Sequence, residues 1–367
     1  MPKGARDLQA EVLDKNLCTG CGMCVGMCPY IKTVDEKVAV IHPCGLEDGN
    51  CYRVCPRTAT DLSQLDRQVF GEKRDDAVLG RHTALLFARA ADVQVAGGGQ
   101  YGGTVSALTV FALEQGDIDA AVLTRGNGGS YPAPRVVRSR EEVLACAGSK
   151  YSACPTMTGF HQAVGEGSRR TGVVGRPCQV TAVRKLQGLA AGDGVPHLPA
   201  GTASLVIGLF CFWALDPGFY RWLAARVDPQ QVLAIDIPLE GLEVRTAERV
   251  YRWPVDEVRP FIRPACLQCF DSTAEFADVS VGSTEYDPEW NTLVVRTRRG
   301  ADLVERARQA GVLEVKPYPE ERIPILRQAV LNKKIRVLRL WEDGQAAYLQ
   351  VDDADKEQIL GLEVQAG

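Results

Sequence analysis

The sequence lacks an excess of basic charge: 42 lysine and arginine residues face 46 aspartate and glutamate residues, for a formal net charge of −4. Binding along a phosphate backbone needs such an excess, so nucleic acid is not the expected partner. A long apolar run is lacking too. The longest, "SLVIGLFCFWAL" (204–215), is too short to cross a bilayer, and the N-terminal "MPKGARDLQAEVLDKN" has no apolar stretch of the export-signal kind. These absences lead to the expectation of a cytoplasmic protein with no transmembrane segment, any attachment to a membrane being peripheral and made through partner subunits. Internal repeats and low-complexity segments are absent as well. What the chain does have is cysteine, thirteen in 367 residues. An odd number without an export signal argues for metal rather than disulfides. The length, with 46% hydrophobic and 24% charged residues, suits a globular protein of roughly two or three domains.

Seven of the cysteines lie in two N-terminal runs. Cys18-x2-Cys21-x2-Cys24-x3-Cys28-Pro29 has the bacterial ferredoxin spacing, in which three thiolates hold one 4Fe-4S cube and the fourth reaches across to another. A second run is therefore required, and "CGLEDGNCYRVCP" supplies Cys44, Cys51 and Cys55, the last again followed by proline. Crossed ligation puts Cys18, Cys21 and Cys24 with Cys55, and Cys28 with Cys44 and Cys51. Zinc is the competing use, but zinc sites favour separated CxxC pairs over a triplet followed by Cys-Pro. The second set is one thiolate short, because Asp48 stands three residues before Cys51. Three outcomes are open there: an oxygen-ligated cube with Asp48 at the corner, which is the favoured reading, a three-iron cluster, or ligation by water or a side chain such as His42.

Beyond this module "TDLSQLDRQVFGEKRDDAVLG" (60–80) is polar and weakly periodic, and reads as a connector or surface wrap. Then comes alternation. "GGTVSALTVFALEQG" has helical spacing with Gly116 as its stop, and "DAAVLT" is a buried strand. Ser139 and Glu142 form a capping box before "EVLACAG", and "TGVVGRP" is a strand running into the helix "QVTAVRKLQGL". "SLVIGLFCFW" reads as a strand and "DPGFYRWLAARV" as a helix opened by Asp216 and Pro217. Such alternation means α/β architecture. The last fifty or so residues, including "ERIPILRQAVLNKKIRVLRLWEDG", read as a helix and hairpin-like appendage without evident chemistry.

Gly97-x-Gly99-x-x-Gly102 matches a dinucleotide fingerprint by letter. The following strand ends in Thr124-Arg125 instead of the acidic residue that grips a ribose, which disfavours a simple nicotinamide site. Glycine-rich backbone facing an anion at a helix start is physically reasonable, and a sharp turn is the rival explanation.

Four more cysteines, in "GRPCQV", "GLFCFW" and "RPACLQCFD", are far apart in the chain: Cys178, Cys211, Cys266 and Cys269. Cys146 and Cys154 are left over and read as buried thiols. Taken in order, "GGTVSALTVFALEQGDIDAAVLT", "GSKYSACP", "VVGRPCQVTAVRKL", "IGLFCF" and "RPACLQCFDSTAEFADVSVGS" resemble the beta-subunit family of coenzyme F420-reducing hydrogenases and formate dehydrogenases. Relatives of that family include 7-hydroxymethyl chlorophyll a reductase and a ferredoxin-dependent divinyl reductase. The resemblance covers Leu85 to Val315, with the N-terminal module as a fused front end.

The resemblance implies an N-terminal ferredoxin-like domain with two 4Fe-4S clusters (1–70), an α/β domain binding FAD and one further 4Fe-4S cluster (71–315), and a small C-terminal appendage (316–367). It carries that cluster onto Cys178, Cys211, Cys266 and Cys269. It carries FAD onto Gly102, Gly103 and Thr104, then Asn127, then Ser149, Lys150 and Tyr151, then Gly175 and Arg176. Lys150 would pair with the pyrophosphate or with reduced flavin, the alternative being a surface salt bridge. Tyr101 departs from the smaller or acidic residue of many relatives.

The expected function is that of an electron-transfer oxidoreductase subunit. Electrons pass singly through the clusters to or from FAD, which exchanges hydride with a soluble carrier such as coenzyme F420. No Arg-x-Cys-Gly-x-Cys pair or molybdopterin signature is present, so oxidation of hydrogen or formate falls to a partner in a hydrogenase, formate dehydrogenase or heterodisulfide-reductase-like complex, or the chain is served by ferredoxin. Reduction of an organic substrate, service to NAD(P), and a purely conducting subunit without flavin are the alternatives, with a zinc scaffold further off.

Overall fold

The computed structural model describes residues 2–366 except 35–36, 43, 127–128, 130, 192–202, 239, 285 and 346. Near the N-terminus β1 (Ile31–Val34) and β2 (Lys37–Val40) form an antiparallel hairpin. A short strand β3 (Thr60–Asp61) follows, and β4 (Ala84–Ala90) enters the main sheet. Next along the chain are β5 (Ala120–Arg125), β6 (Ala133–Val137), β7 (Thr171–Gly175) and β8 (Ala203–Leu209). A separate three-stranded sheet is made by β9 (Ala234–Asp236), β10 (Leu242–Arg245) and β11 (Val250–Trp253). The chain then returns with β12 (Val279–Ser283), β13 (Asn291–Val295) and β14 (Leu313–Pro317), and ends past β15 (Leu349–Gln350).

The main sheet has eight strands in the order β14-β4-β13-β12-β8-β7-β5-β6. Strands β5, β7, β8 and β12 pair in parallel, while β13 is antiparallel to both β12 and β4. It follows that β4, β5, β7, β8 and β12 all point the same way. The central strands read as continuous small apolar runs because both faces are covered: β7, "TGVVG", is buried at every position. One covering helix is Thr104–Glu114, whose Ala107, Leu108, Val110, Phe111 and Ala112 are buried. It ends at Gly116, which takes the left-handed φ of +69° expected of a helix stop.

Two sequence expectations are corrected here. Residues 60–80 are no surface wrap. Helix Leu62–Phe70 is capped by the Asp61 side chain and buries Leu62 and Leu65, while Ala77, Val78 and Leu79 enter the same core. The polar letters misled because they pair inside: Arg74 bonds Asp66 at 2.8 Å and Glu275 at 2.5 Å, and Arg296 bonds the Leu79 and Arg81 carbonyls. The C-terminal segment is likewise no hairpin. Residues Ile323–Glu342 form one helix, whose buried Val330, Leu331, Lys334, Ile335, Val337 and Leu338 recur at helical spacing. Strand β15 pairs in parallel with β3, and Val330 shares a core with Met23, Leu65 and Phe270. One continuous core thus ties the N-terminal cysteine region, the sheet and the C-terminal helices together.

Candidate functional site

The first thiol set is shaped by a loop with two left-handed glycines, Gly20 (φ +64°) and Gly22 (φ +86°). At Gly22 a Cβ would also come within 2.8 Å of the Pro155 carbonyl, so only glycine allows the cysteine loop to lie against the larger domain. Cys18, Cys21, Cys24 and Cys55 line one small cavity, together with Val12, Val38 and Pro56. This is the grouping the crossed pattern requires. Burial pushes the Cys24 thiol well up and that of Cys55 to about 11. Cys18 receives the Gly20 N–H and Cys55 the Arg57 N–H, each at 3.4 Å, bonds of the kind that stabilise cluster sulfurs.

Cys28, Cys44 and Cys51 form the second set. Burial raises the Cys51 thiol, and the Cys28 and Cys44 sulfurs add to that. Asp48 lies 4.0 Å from the Arg53 guanidinium and is exposed. His42 stacks at a tilt against Tyr30.

The third set is assembled by the fold. Cys178 lies in the first turn of helix Pro177–Ala191, directly after β7. Cys211 follows the end of β8, and Cys266 and Cys269 come from the short helix Pro264–Leu267 and the turn after it. Burial raises the Cys211 thiol to about 12, and Cys266 and Cys178 are close enough to add to the shift. Burial is likewise the largest influence on Cys266, with Cys269 next. The Ala214 N–H donates to Cys266 Sγ at 3.3 Å. All four cysteines therefore converge, and they do so beside the first set, because Cys178 also bears on Cys18 and Cys21.

Cations surround this third set. Burial opposes the charge of both Arg176 and Arg57, but it is outweighed at Arg57 by Tyr348 first and then by Cys269, Cys178 and Cys266, and at Arg176 by Cys178, Cys211 and Cys266, so both guanidinium pKa values are raised. Lys333 Nζ donates to the Cys211 and Asp271 carbonyls, each at 2.8 Å. Cys269 is the exception among the shifted thiols: burial pushes it up, but Lys333 and Arg57 prevail and hold it below the ordinary thiol value. The C-terminal segment thus does bring chemistry to the site. Its signal was a charged pair, Lys333-Lys334, at a buried phase of an otherwise apolar helix face.

The first and third thiol sets have the donor chemistry of iron-sulfur ligands. Buried Arg176 Nη2 and Arg57 Nε have no hydrogen-bond partner among the described residues, as expected where an anionic group completes the site.

Of the remaining sequence-derived positions, Gly102–Thr104 and Gly175–Arg176 lie at the carboxyl ends of β4 and β7, where α/β sheets place their ligands. Gly102 and Gly103 follow β4, and the Ala90 N–H bonds the Gly102 carbonyl. Gly103 has φ +69° and a Cβ there would lie 2.5 Å from the Val95 carbonyl, so close packing and a turn both demand glycine. Thr104 starts the following helix, but its N–H meets Asn291 Oδ1 and its hydroxyl the Ala88 carbonyl. Asn127, after β5, falls outside the described residues. Ser149 is exposed. Lys150 makes no salt bridge among the described residues; it donates to the Cys146, Ala147 and Gly148 carbonyls, and burial lowers it to about 8. Tyr151 donates to Asp236 at 2.7 Å and accepts from Gln100, and Tyr101 also reaches Asp236. The glycine-rich loop and the 149–151 segment therefore meet at one carboxylate that sequence reasoning did not flag. Gly175 ends β7 and Arg176 follows it, its N–H donating to Gln179 Oε1. Cys146 and Cys154 are buried, as expected.

Residues 85–159 and 168–321 match the N-terminal and C-terminal profiles described as coenzyme F420 hydrogenase/dehydrogenase, beta subunit, and residues 11–30 match a 4Fe-4S binding domain. The chain is 32% identical over 251 residues to a coenzyme F420 hydrogenase subunit beta of Methanothermobacter thermautotrophicus, covering 66% of this chain and 87% of the relative. It is 30% identical over 306 residues to a coenzyme F420-dependent sulfite reductase of Methanocaldococcus jannaschii, covering 80% of this chain and 46% of that longer protein. A chain of the F420-reducing [NiFe] hydrogenase complex from Methanosarcina barkeri superposes with a TM-score of 0.68 at 27% identity, over 73% of this chain and 94% of the other. The present chain belongs to the coenzyme F420 hydrogenase/dehydrogenase beta-subunit family.

Proposed function

We propose that the protein is the electron-transfer subunit of an F420-linked redox complex. In this reading Cys18, Cys21, Cys24 and Cys55 hold one 4Fe-4S cluster, Cys28, Cys44 and Cys51 with Asp48 a second, and Cys178, Cys211, Cys266 and Cys269 a third. FAD lies along the carboxyl edge between Gly102–Thr104, Asn127, Ser149–Tyr151 and Gly175–Arg176. When bound, clusters carry single electrons and a flavin converts between single electrons and the hydride of a soluble carrier. The chain's own part is to hold these groups in line and to bury them. Gly20 and Gly22 wrap the first set, β7 and β8 deliver Cys178 and Cys211 to a common edge, and Lys333 and Arg176 offset the negative charge there.

The observation that carries the reading is the convergence of four remote thiols beside Cys18 and Cys21. A partner subunit supplies or accepts the electrons at the N-terminal side. Among the described residues no helix is long and apolar enough to cross a membrane, which is compatible with the cytoplasmic, partner-held placement we propose.

A second reading, a conducting subunit without flavin, is favoured by the engagement of Thr104 and Lys150 within the chain. Denaturing the anaerobically purified protein and measuring released flavin separates the two. About one FAD per chain, with F420 absorbance bleached on mixing with the reduced protein, is the expected result; no flavin after full reconstitution overturns the hydride-exchange reading.

A further inference from the structure

Arg57 lies just past the Cys55-Pro56 pair and belongs to none of the ligand sets. It is only 4% exposed, and its side-chain hydrogen bonds among the described residues run to backbone carbonyls and not to a carboxylate. A guanidinium buried without a carboxylate is costly unless other negative charge lies against it. Its contacts show where that charge lies. Nη2 donates to the Ala265 carbonyl at 3.0 Å and Nη1 to the Gln268 carbonyl at 3.2 Å, the residues directly before Cys266 and Cys269. The guanidinium carbon lies 4.3 Å from the centre of the Tyr348 ring, and Nε has no hydrogen-bond partner among the described residues. Arg57 lines a cavity with Pro56, Cys178, Cys269 and Tyr348. At its other end, its own N–H is bonded to the Cys55 sulfur at 3.4 Å. One residue therefore touches both the first thiol set and the loop carrying half of the third.

We propose that Arg57 is a positioning residue set between the first and third thiol sets, serving as counter-charge to the third and so fixing the difference in reduction potential across which an electron passes from one to the other. The inference rests on the cluster reading above. The guanidinium faces the third set, while only the backbone N–H faces Cys55. Removing the charge therefore disfavours adding an electron at the third set more than at the first. Replacement by lysine keeps the charge but loses the two-pronged grip on the 265 and 268 carbonyls.

The test uses the intact holoprotein with potentiometric electron paramagnetic resonance and iron analysis on the parent, Arg57→Gln and Arg57→Lys. Arg57→Gln is expected to keep its iron and to lower the reduction equilibrium of the third-cluster signal by about tenfold, which for a one-electron couple is about 59 mV. The first-cluster signal shifts less, and Arg57→Lys restores most of the loss. Equal potentials in parent and Arg57→Gln at equal iron overturn the proposal. Should Arg57→Gln lose iron, the lysine variant decides: a third-cluster potential near the parent's supports the counter-charge role, and a loss of iron equal to that of Arg57→Gln reduces Arg57 to a structural tie and overturns it. A parent protein with no third-cluster signal fails the cluster reading instead, and iron analysis shows that separately.

Discussion

Seven cysteines of the N-terminal region lie within residues 18–55, whereas Cys178, Cys211, Cys266 and Cys269 reach one place only because β7, β8 and the 264–269 turn end near one another. The first region sets its ligand spacing by local backbone turns at Gly20 and Gly22; the second borrows it from the parallel register of β7 and β8 in a large mixed sheet. Their electrostatics differ as well. Burial raises the thiols of Cys24 and Cys55 in the first set and of Cys211 and Cys266 in the third, but at Cys269 Lys333 and Arg57 overcome burial and hold the thiol down. Both sets draw cations from distant parts of the chain, Lys185 at Cys55 and Arg263 at Cys18 as well as Lys333 and Arg176 at Cys211, but among the shifted thiols only at Cys269 do they prevail over burial. The lesson is that a locally encoded site can be placed in a fold, but a remotely encoded one depends on the fold being right.

The comparison breaks most readily through the buried ion pairs behind the third set. Arg74 binds both Asp66 and Glu275, and Lys334 binds Glu275 at 2.7 Å. Arg74→Met leaves two buried carboxylates short of a partner and is expected to cost about 3–5 kcal/mol in denaturant unfolding. The 269–278 loop loosens first, so hydrogen exchange there speeds up more than around Cys18–Cys24. Equal acceleration in both places would mean that the third site does not depend on the wider fold as argued.

A smaller effect sharpens the same contrast at the carboxyl edge. Gly103→Ala places a Cβ 2.5 Å from the Val95 carbonyl at a left-handed φ. The conformation alone costs about 1–2 kcal/mol, and a melting temperature within error of the parent's would show that the loop relaxes freely. The smallest expected effect concerns Lys150. Burial, opposed by Cys146, lowers this ammonium from 10.5 to about 8. Between those pH values the unfolded chain holds a proton that the folded chain has released, so this group's contribution to stability rises as pH rises from about 8 to 10.5 and is flat below. Lys150→Met should remove that slope, and an unchanged difference between variant and parent across the window would place Lys150 in solvent.

Much of this was legible in the sequence, for reasons specific to each part. The Cys18–Cys28 run states its 4Fe-4S character by spacing alone, and the strands "DAAVLT" and "TGVVG" and the helix from Thr104 show their burial in their letters. Residues 60–80 and 316–367 were not legible as core, because their charges are satisfied only across the fold: Arg74 with Glu275, Lys334 with Glu275, Arg296 with the carbonyls of residues 79 and 81. Asp236 was missed for the same reason. Nothing in "LAIDIP" says that two tyrosines more than eighty residues upstream will converge on it.

The central claim is that four distant thiols make a cluster of their own beside the N-terminal pair. Iron and acid-labile sulfide per chain, measured on anaerobically purified parent and on the double substitution Cys266→Ser with Cys269→Ser, test it most directly. The parent should hold about twelve iron atoms and the variant about eight, with the N-terminal paramagnetic signals intact. Equal iron in the two proteins would contradict the account.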